Sequence, residues 1–565
     1  MRFDEMPYQR VEYDHYRADF EKALNELTAA NSAKKQIEAA KNIFKLRDTF
    51  ETMTSLCYIR HTVNTQDAFY SAENDYYDET NPKFEELNHR FYQALNDSPY
   101  RAELEKTWGS LLFTNISISL RSFDSKIMED MAEENRLCTQ YQKLIASAQI
   151  QFDGKILNLS QLGAYLESAD RSIRKDALNK RSAFFRSHQE ELDNLYDQLV
   201  HVRDRQAKAL GFPHYVPLGY LRMTRNSYTR DQVAAFRQLV KTEIVPIAND
   251  LRRMQRARLG ISTLYFYDEA LFYPSGNPKP QGTPEEIFKH GQEMYHALSP
   301  ETGEFFDFLL KNALFDALGR KGKASGGYCT ELPDYKSPFI FANFNGTSDD
   351  ISTLTHEAGH AFQAYLSKDN FPPEYRSPTL ESCEIHSMSM EFFTWPWMDL
   401  FFGKEADRYR YMHLCSALLF LPYGCAVDEF QHIVYEHPEM SPKERRQAWL
   451  ALEEVYLPGT DYDHDGFFSE GGRWQRQSHI YESPFYYIDY CLAQTCALEF
   501  WALMQEDRSS AWKRYLKLCK LGGKDTFTGL IKQVGLKTPF DPACLKTVAA
   551  SAKHFLDQFD QNKLK

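Results

Sequence analysis

Two histidines and one glutamate within five residues give this sequence its clearest chemical signal. His356, Glu357 and His360 form the pattern HExxH. On a helix the two histidines lie one turn apart, about 40° from alignment, so both imidazoles can bind one metal ion. Glu357 is too far round the helix to share the ion easily, but it is well placed to take a proton from water that the ion holds. The spacing therefore indicates a catalytic metal site with Glu357 as its base.

The neighbouring residues predict a helix that carries this pattern. Residues 347–350, Thr-Ser-Asp-Asp, offer N-cap side chains and negative charge for a first turn. Apolar residues then recur at helical spacing and give the helix one buried face: Ile351, Leu354, Ala358, Ala361 and Phe362. HExxH in this setting is the pattern of zinc peptidases, and a helical context makes a chance match a weaker explanation.

A catalytic zinc normally takes three protein ligands and keeps one position open for water. The next predicted helical segment, residues 377–395, supplies the candidates for the third ligand. Any helix packed against the first could present one of these side chains, so spacing alone leaves four alternatives open: Glu381, Glu384, His386 and Glu391.

The two motifs together resemble a known group of enzymes. HEAGH followed by Glu384-Ile-His-Ser resembles the thimet-oligopeptidase and oligoendopeptidase F superfamily of zinc peptidases. Residues 339–346 and 471–490 resemble its Pz-peptidase branch in particular, and the resemblance is specific over about 325–495. It implies that Glu384 is the third ligand beside His356 and His360, with one zinc ion per chain. His386 has no counterpart in that pattern and is assigned to support or packing.

A histidine and three tyrosines near the C-terminus are candidates for stabilising the oxyanion that forms in peptide hydrolysis. On a helix, Tyr486 and Tyr490 lie one turn apart, and Tyr487 shares a face with Tyr490. Aromatic packing is the alternative role. The resemblance favours function, and it implies that His479 and Tyr490 are catalytic and that Tyr486 and Tyr487 bind substrate.

Residues 325–328 and 339–344 predict a hairpin or a short sheet edge just before the metal helix. A free sheet edge beside a metal could dock an extended peptide, whereas a plain structural hairpin is the alternative. The resemblance favours docking, with Phe341, Ala342 and Asn343 in contact with substrate.

Most of the remaining chain shows the apolar spacing of helices. The segment Asp153-Gly154 between apolar residues predicts a small hairpin, and 263–268 alternates like a strand but could be a simple connection. Asn81-Pro82 is typical of a helix start. The predicted helices span 16–30, 33–60, 82–96, 125–147, 229–258, 404–437, 442–456, 484–504, 509–521 and 542–559.

An interruption at residues 212–217 suggests a division into two parts. We expect an N-terminal helical domain at 1–200 and a helical zinc-peptidase catalytic domain at 201–565. The fold class is mainly α with a small β element beside the metal site. The resemblance implies two helical lobes that flank a deep substrate channel.

Composition limits the partners. The chain has 565 residues and a net charge of −13, which argues against nucleic acid and against anionic membranes. It shows no secretory leader and no apolar run long enough to span a bilayer. Ten scattered cysteines without a CxxC pair favour reduced thiols and a cytoplasmic location. Short unstructured peptides are the expected partners, and the sequence carries no signal for an oligomeric state.

These observations predict a zinc-dependent endopeptidase of short oligopeptides in which Glu357 activates water. One alternative is a metallo-exopeptidase, which would need a dedicated site for a free terminus. Another is a non-catalytic peptide-binding protein with a structural metal. A structural zinc is usually closed by four ligands, often cysteines, and HEAGH keeps its glutamate and carries no cysteine, so the inert alternative is disfavoured.

Overall fold

The structure, a computed structural model, describes residues 1–320, 322–324 and 326–564. It is mainly α, with 72% of its residues in helices, which confirms the predicted fold class. The helices of the first half are α1 (Tyr13–Thr28), α2 (Ala33–Val63), α3 (Ala68–Asn96), α4 (Arg101–Trp108), α5 (Ser110–Ser122), α6 (Met128–Ala146), α7 (Leu159–Gly163), α8 (Arg171–Ser187), α9 (Gln189–Ala209), α10 (Tyr215–Arg222), α11 (Arg230–Leu239) and α12 (Val245–Leu259).

The helices of the second half begin after a connection rich in glycine and proline. They are α13 (Pro284–Leu298), α14 (Pro300–Lys311), α15 (Asp349–Ser367), α16 (Leu380–Phe393), α17 (Asp399–Phe402), α18 (Ala406–Glu436), α19 (Pro442–Tyr456), α20 (Ser478–Glu482), α21 (Tyr487–Leu521), α22 (Phe527–Gln533) and α23 (Pro542–Gln558). Helix α21 is broken at Asp507, whose φ of −148° is not helical, which agrees with the two separate helices predicted there.

The predicted hairpin at Asp153-Gly154 is present. Strands β1 (Ile150–Phe152) and β2 (Lys155–Leu157) pair antiparallel. Asp153 and Gly154 both have positive φ, 49° and 70°, as a two-residue hairpin turn with the twist of the flanking strands requires.

A three-stranded sheet precedes the metal helix, and its strand order corrects one prediction. Strands β3 (Phe315–Leu318) and β4 (Tyr328–Leu332) lie on either side of β5 (Ser337–Phe344), in the order β3-β5-β4. The prediction that 339–344 is a free edge is therefore wrong, because β5 is the central strand: β4 pairs with residues 337–341 and β3 with residues 340–344. Among the described residues, the outer edges of this sheet belong to β3 and β4. Ser325, where the predicted hairpin began, lies outside the described residues.

The three residues expected to touch substrate lie on this central strand. Phe341 and Ala342 are buried, 0% and 1% exposed. The Asn343 side-chain amide donates hydrogen bonds to the carbonyls of Ala324 and Gly326, both at 2.8 Å. The Asn343 side chain is thus occupied by backbone carbonyls of the segment before β4.

One local prediction differs from the structure, and one that left two alternatives open is decided by it. The predicted helix start at Pro82 is wrong: α3 begins at Ala68, where the Asp67 carboxylate caps the amides of Phe69 and Tyr70, and the helix continues through Pro82. The alternating segment 263–268 is a connection that ends in a 3-10 turn at Phe266–Asp268.

Apolar side chains form two large cores. Helices α1 to α5 enclose one of them, to which Tyr375 also belongs, and most of the later helices, with the C-terminal part of α2, enclose the other. The predicted division at residue 200 falls inside α9, and the assignment of two domains stays a prediction. Across the described ranges, every helix is too short or too polar to span a lipid bilayer. All ten cysteines are free thiols.

Helices α6 and α9 hold the segment that leads into α21. The Tyr141 ring stacks on the Tyr481 ring at 4.0 Å, and the Tyr141 hydroxyl donates to the Gln475 carbonyl. Arg203 of α9 donates to the Tyr481 carbonyl at 2.5 Å and pairs with Glu134 of α6 at 2.6 Å. We call these contacts the α6–α9 clamp.

Helices α15 and α16 come into unusually close contact at Gly359. A Cβ atom at this position would lie 2.6 Å from the His386 carbonyl oxygen and 2.7 Å from the Ser387 Cα. Both are backbone atoms and cannot rotate away, so only glycine permits this approach. Gly359 lies between Glu357 and His360, and this contact therefore sets the distance between the two motifs.

We expect Gly359→Ala to weaken metal binding together with stability. The added methyl group forces α16 away from α15, at a cost of about 1–3 kcal/mol for overpacking. We expect the melting temperature to fall by several degrees and the bound metal per chain to drop well below one, as measured by calorimetry and metal analysis.

Gly291→Ala is the matched control. Its Cβ would meet the Phe306 ring at 3.2 Å, in the contact between α13 and α14. This variant should also lose stability, yet it should keep its metal. If Gly359→Ala bound metal as tightly as the unaltered chain, the contact would not control the site.

Candidate active site

Two helices bring three donor groups to one point. His356 and His360 lie on α15, and Glu384 lies on α16. The Glu384 Oε2 atom is 3.3 Å from His356 Nε2 and 3.4 Å from His360 Nε2. Among the described residues, these are the side chains grouped closely enough to hold a metal ion.

This geometry can be tested against the needs of a zinc ion. Tetrahedral ligands at 2.0–2.2 Å from zinc are separated from one another by about 3.3–3.5 Å. The two separations that involve Glu384 match that spacing, and two imidazole nitrogens with one carboxylate oxygen are a donor set that zinc favours. The residues present therefore fit the metal that the sequence motif implies.

Residues behind the donor set orient His356. The Glu391 carboxylate accepts a hydrogen bond from His356 Nδ1 at 2.8 Å and another from His413 Nε2 at 2.6 Å. The Trp395 indole donates to His413 Nδ1 at 3.2 Å, which leaves the His413 proton on Nε2. With Nδ1–H bound to Glu391, His356 presents its Nε2 lone pair to the metal position. Glu391, an alternative ligand by spacing alone, thus contacts the candidate ligand His356 and lies outside the donor set.

The third donor is also held in place. Glu384 accepts a hydrogen bond from the Ser387 hydroxyl at 2.9 Å, on Oε2, and one from the Tyr486 hydroxyl at 2.7 Å, on Oε1. Tyr486, which was expected to bind substrate, therefore contacts a predicted metal ligand. Glu384 is 3% exposed, so these bonds satisfy a carboxylate that water reaches poorly.

Glu357 has the features of a base. It is 7% exposed, and its Oε2 atom has no hydrogen-bond partner among the described groups. Gly327 lies against it, since a Cβ there would be 3.2 Å from Glu357 Oε1. Burial raises the pKa of Glu357 above the usual value, and the nearby imidazoles oppose that rise. A buried carboxylate with a free oxygen and a raised pKa accepts a proton more readily than one in water.

A relay of side chains fixes the proton of His479. The Tyr423 hydroxyl donates to Gln477 Oε1 at 3.1 Å, and Gln477 Nε2 donates to His479 Nδ1 at 2.8 Å. The proton of the neutral ring therefore lies on Nε2, which points to the Tyr490 hydroxyl at 3.4 Å. Burial lowers the pKa of His479 to about 4, so the ring is neutral near pH 7 and presents one N–H donor.

The tyrosines take different places around this histidine. Tyr490 lies 4.9 Å from Tyr486 between ring centroids, beside the metal donors. Tyr487 lies 5.1 Å from His479 and 5.6 Å from Tyr490 between ring centroids, and it also packs against Phe420 and Tyr423. The structure thus brings His479, Tyr486 and Tyr490 to the metal donors and Tyr487 to an adjacent wall.

A buried arginine anchors the turn before α21. The Arg225 guanidinium donates to the Phe485 carbonyl and pairs with Asp489 at 2.9 Å. Phe485 has a φ of +70°, and its ring fills the space that a side chain at Gly219 would need. These contacts fix the backbone from which Tyr486 and Tyr490 project.

Sequence reasoning missed Arg225, Gln477 and His413, since none of them belongs to a recognisable motif. Gln477 lies two residues before His479, and that proximity was the one available signal. His386 is fully buried, with its ring 6.4 Å from that of Tyr515, so it packs behind α16 away from the donor set.

Comparison with known proteins identifies the family. Residues 164–550 match the model of peptidase family M3, and residues 3–123 match the model of the peptidase M3 N-terminal domain. An oligoendopeptidase F homolog from Borreliella burgdorferi is 25% identical over 425 residues, which span 70% of this chain and 67% of that protein. The oligopeptidase PepF of Bacillus subtilis is 21% identical over 70% of this chain and 58% of its own length.

A solved structure of Pz peptidase A with an inhibitor is similar over almost the whole length. It shares 50% identity and a TM-score of 0.97, covering 99% of this chain and 100% of that one. The chain therefore belongs to peptidase family M3 and is a metalloendopeptidase. The resemblance seen in the sequence is confirmed.

We expect substitutions at Glu384 and Glu391 to have different effects on the metal. Glu384→Ala removes a donor, so it should abolish stoichiometric zinc binding. Glu391→Gln keeps a hydrogen-bond acceptor for His356, so it should retain one zinc ion with an affinity about 10–100-fold weaker. Metal analysis after dialysis and chelator competition would measure both.

Glu381→Gln serves as the control, because it changes another buried glutamate on α16. It should keep zinc at full affinity. Tight stoichiometric zinc in Glu384→Ala would transfer the third-ligand role to Glu381 or His386.

Proposed function

Starting from a chain of peptidase family M3, we propose that this enzyme is a zinc-dependent endopeptidase that hydrolyses internal bonds of short, unstructured peptides. The observation that carries the proposal is the pairing of a zinc-compatible donor set with an unpartnered, buried Glu357 oxygen beside it. A structural metal site has no need of such a base. The arrangement therefore favours an enzyme over a non-catalytic peptide-binding protein with a structural metal.

His356, His360 and Glu384 would hold one zinc ion. When bound, zinc acts as a Lewis acid that lowers the pKa of a water molecule and polarises a peptide carbonyl. Glu391 keeps His356 in the tautomer that can bind it.

Glu357 would serve as the general base and then as the general acid. Its free Oε2 atom accepts a proton from the attacking water and later gives that proton to the amine of the leaving peptide. The raised pKa of Glu357 suits both steps, because the proton must be taken and released at the same atom.

His479 and Tyr490 would stabilise the negative charge that develops on the carbonyl oxygen. The Gln477 amide leaves the His479 proton on Nε2, on the side of the Tyr490 hydroxyl. Two donors fixed before substrate arrives need no reorganisation during the reaction. Tyr486, which donates to Glu384, would hold that ligand rather than bind substrate.

Strand β4 would align the peptide. It is an outer strand of the sheet, and Gly327, just before it, lies against Glu357. An extended peptide that pairs with β4 would pass the catalytic base with its backbone exposed. This assignment replaces the role that sequence reasoning gave to Phe341, Ala342 and Asn343.

We expect Glu357→Gln to keep the fold and one zinc ion per chain while kcat falls by about 10²–10⁴-fold. The amide has nearly the same shape, but it cannot accept and return a proton. Turnover of an internally quenched peptide and metal analysis on the same preparation would measure the two effects.

Exposed Glu454→Gln on α19 provides a control for loss of one acidic charge, and its kcat should be unchanged. Near-normal turnover in Glu357→Gln would exclude Glu357 as the base.

We also expect cleavage inside a peptide of about ten residues with both termini blocked, and no cleavage of a folded protein that contains the same sequence. A folded chain must first unfold a segment to pair with β4, which costs several kcal/mol. Mass spectrometry of the products would identify the cleaved bonds.

Release of terminal residues alone, from peptides with free ends, would favour the exopeptidase alternative. Equal cleavage of flexible loops in folded proteins would show that access to the site is open rather than restricted.

A further inference from the structure

A cavity of about 420 Å³ lies close to the candidate active site. Asp349, the first residue of α15, contributes to its lining. Asp349 precedes His356 by seven residues, which is about 10 Å along the helix axis. An extended peptide rises about 3.3 Å per residue, so about three residues would reach from the metal position to this cavity.

Tyr487 forms the boundary between the cavity and the catalytic groups. Its ring lies 5.1 Å from the His479 ring on one side. On the other side it lies 5.7 Å from Phe420 and 5.9 Å from Tyr423, both of which line the cavity. A peptide that passes Tyr487 therefore enters a chamber walled by one face of α18.

Four arginines line this chamber, and two of them are neutralised. Arg252 pairs with Glu269 at 2.9 Å, and Arg473 lies 3.6 Å from Glu453. These two arginines are parts of the surrounding structure and are not available to a ligand.

The other two arginines form no ion pair with any described residue. Arg181 donates one hydrogen bond to the Leu159 carbonyl at 3.1 Å, and Arg476 lies over the Phe266 ring at 5.4 Å. Two arginines without an acidic partner are unusual in a chain that has 13 more acidic than basic residues. Two guanidinium groups facing one chamber without a counter-ion are well suited to a bound anion.

The electrostatic effects of Arg476 agree with this arrangement. Burial, and after it the Arg476 guanidinium, lower the pKa of Arg181 to about 10. Arg476 also acts to lower the pKa of Tyr487, against the larger effect of burial. Arg476 is therefore close to both Arg181 and the boundary tyrosine, and the two like charges repel in the absence of an anion.

The chamber also has acidic lining residues, Glu167 and Asp349. Burial and the Asp349 carboxylate raise the pKa of Glu167 to about 7. Neither carboxylate pairs with Arg181 or Arg476 among the described contacts, so the chamber has a basic part and an acidic part. An anionic group would be repelled from the acidic part and attracted to the arginines.

We propose that Arg181 and Arg476 bind a carboxylate of a peptide substrate that extends past Tyr487 into this chamber. The proposal rests on the peptidase function proposed above. The carboxylate can come from the C-terminus of the peptide or from an aspartate or glutamate side chain, since both offer the same planar acceptor to a guanidinium.

The test measures binding in the absence of turnover. Three fluorescently labelled peptides of one sequence would be titrated into the zinc-loaded Glu357→Gln chain: one with a free C-terminal carboxylate, one with a C-terminal amide, and one with an amide after a terminal glutamate. We expect the amide to bind about tenfold more weakly than the free carboxylate. If the peptide with a terminal glutamate and a C-terminal amide binds as tightly as the free-carboxylate peptide, the site also accepts the carboxylate of a side chain.

Arg476→Met and Arg181→Met, each added to Glu357→Gln, should remove the preference for a carboxylate. Neither arginine satisfies a buried carboxylate, so these variants should fold. Arg253→Met is the matched control, because Arg253 is exposed on α12 and should leave the preference intact.

Equal affinity for the carboxylate and amide peptides in Glu357→Gln would overturn the proposal. So would a preference that survives in both Arg476→Met and Arg181→Met. Turnover of the same peptides by the unaltered enzyme is measured separately. Cleavage without a preference for a carboxylate in binding refutes the arginine site alone. A preference for a carboxylate in binding without any cleavage refutes the peptidase function alone.

Discussion

At Gly359 the backbone of α16 rests directly on α15, with no side chain between them. That contact lets a carboxylate on one helix reach the point where two imidazoles from the other converge. If the helices were separated by the usual 8–10 Å between axes, Glu384 would need a different rotamer or a longer side chain to meet His356 and His360. The donor set is thus a consequence of backbone packing, and the side chains around it refine a geometry that the backbone has already set.

The refinement depends on polar groups that are buried and paired. Glu391 links His356 to His413, and Gln477 links Tyr423 to His479. In a low-dielectric interior, an unpaired member of such a network would cost more than its bond contributes, so the network has few alternative arrangements. Each relay also fixes which ring nitrogen of a histidine carries the proton, and that choice decides whether the ring can bind metal or donate to an oxyanion.

How much the sequence could predict depended on how local each signal was. HExxH and its amphipathic context are contained in one helix, so α15 and two of the donors followed from spacing, and the resemblance then selected Glu384. Strand order in the sheet depends on partners that are distant in the chain, so the central position of β5 could not be seen in residues 339–344. Arg225 and Gln477 act through tertiary contacts and carry no periodic pattern. Pro82 was misread because the Asp67 cap, fifteen residues earlier, had already started the helix.

The α6–α9 clamp ties the candidate active site to helices from the first part of the chain. The backbone just before Tyr486 and Tyr490 is held by a ring stack and an arginine from helices that lie largely before residue 200. A fragment with α15, α16 and α21 alone would lack the surface on which Tyr481 rests, and the segment that carries His479 would lose this support. The candidate active site therefore depends on helices that contribute none of its chemical groups, and a substitution in α6 or α9 can change the position of His479 from outside the site.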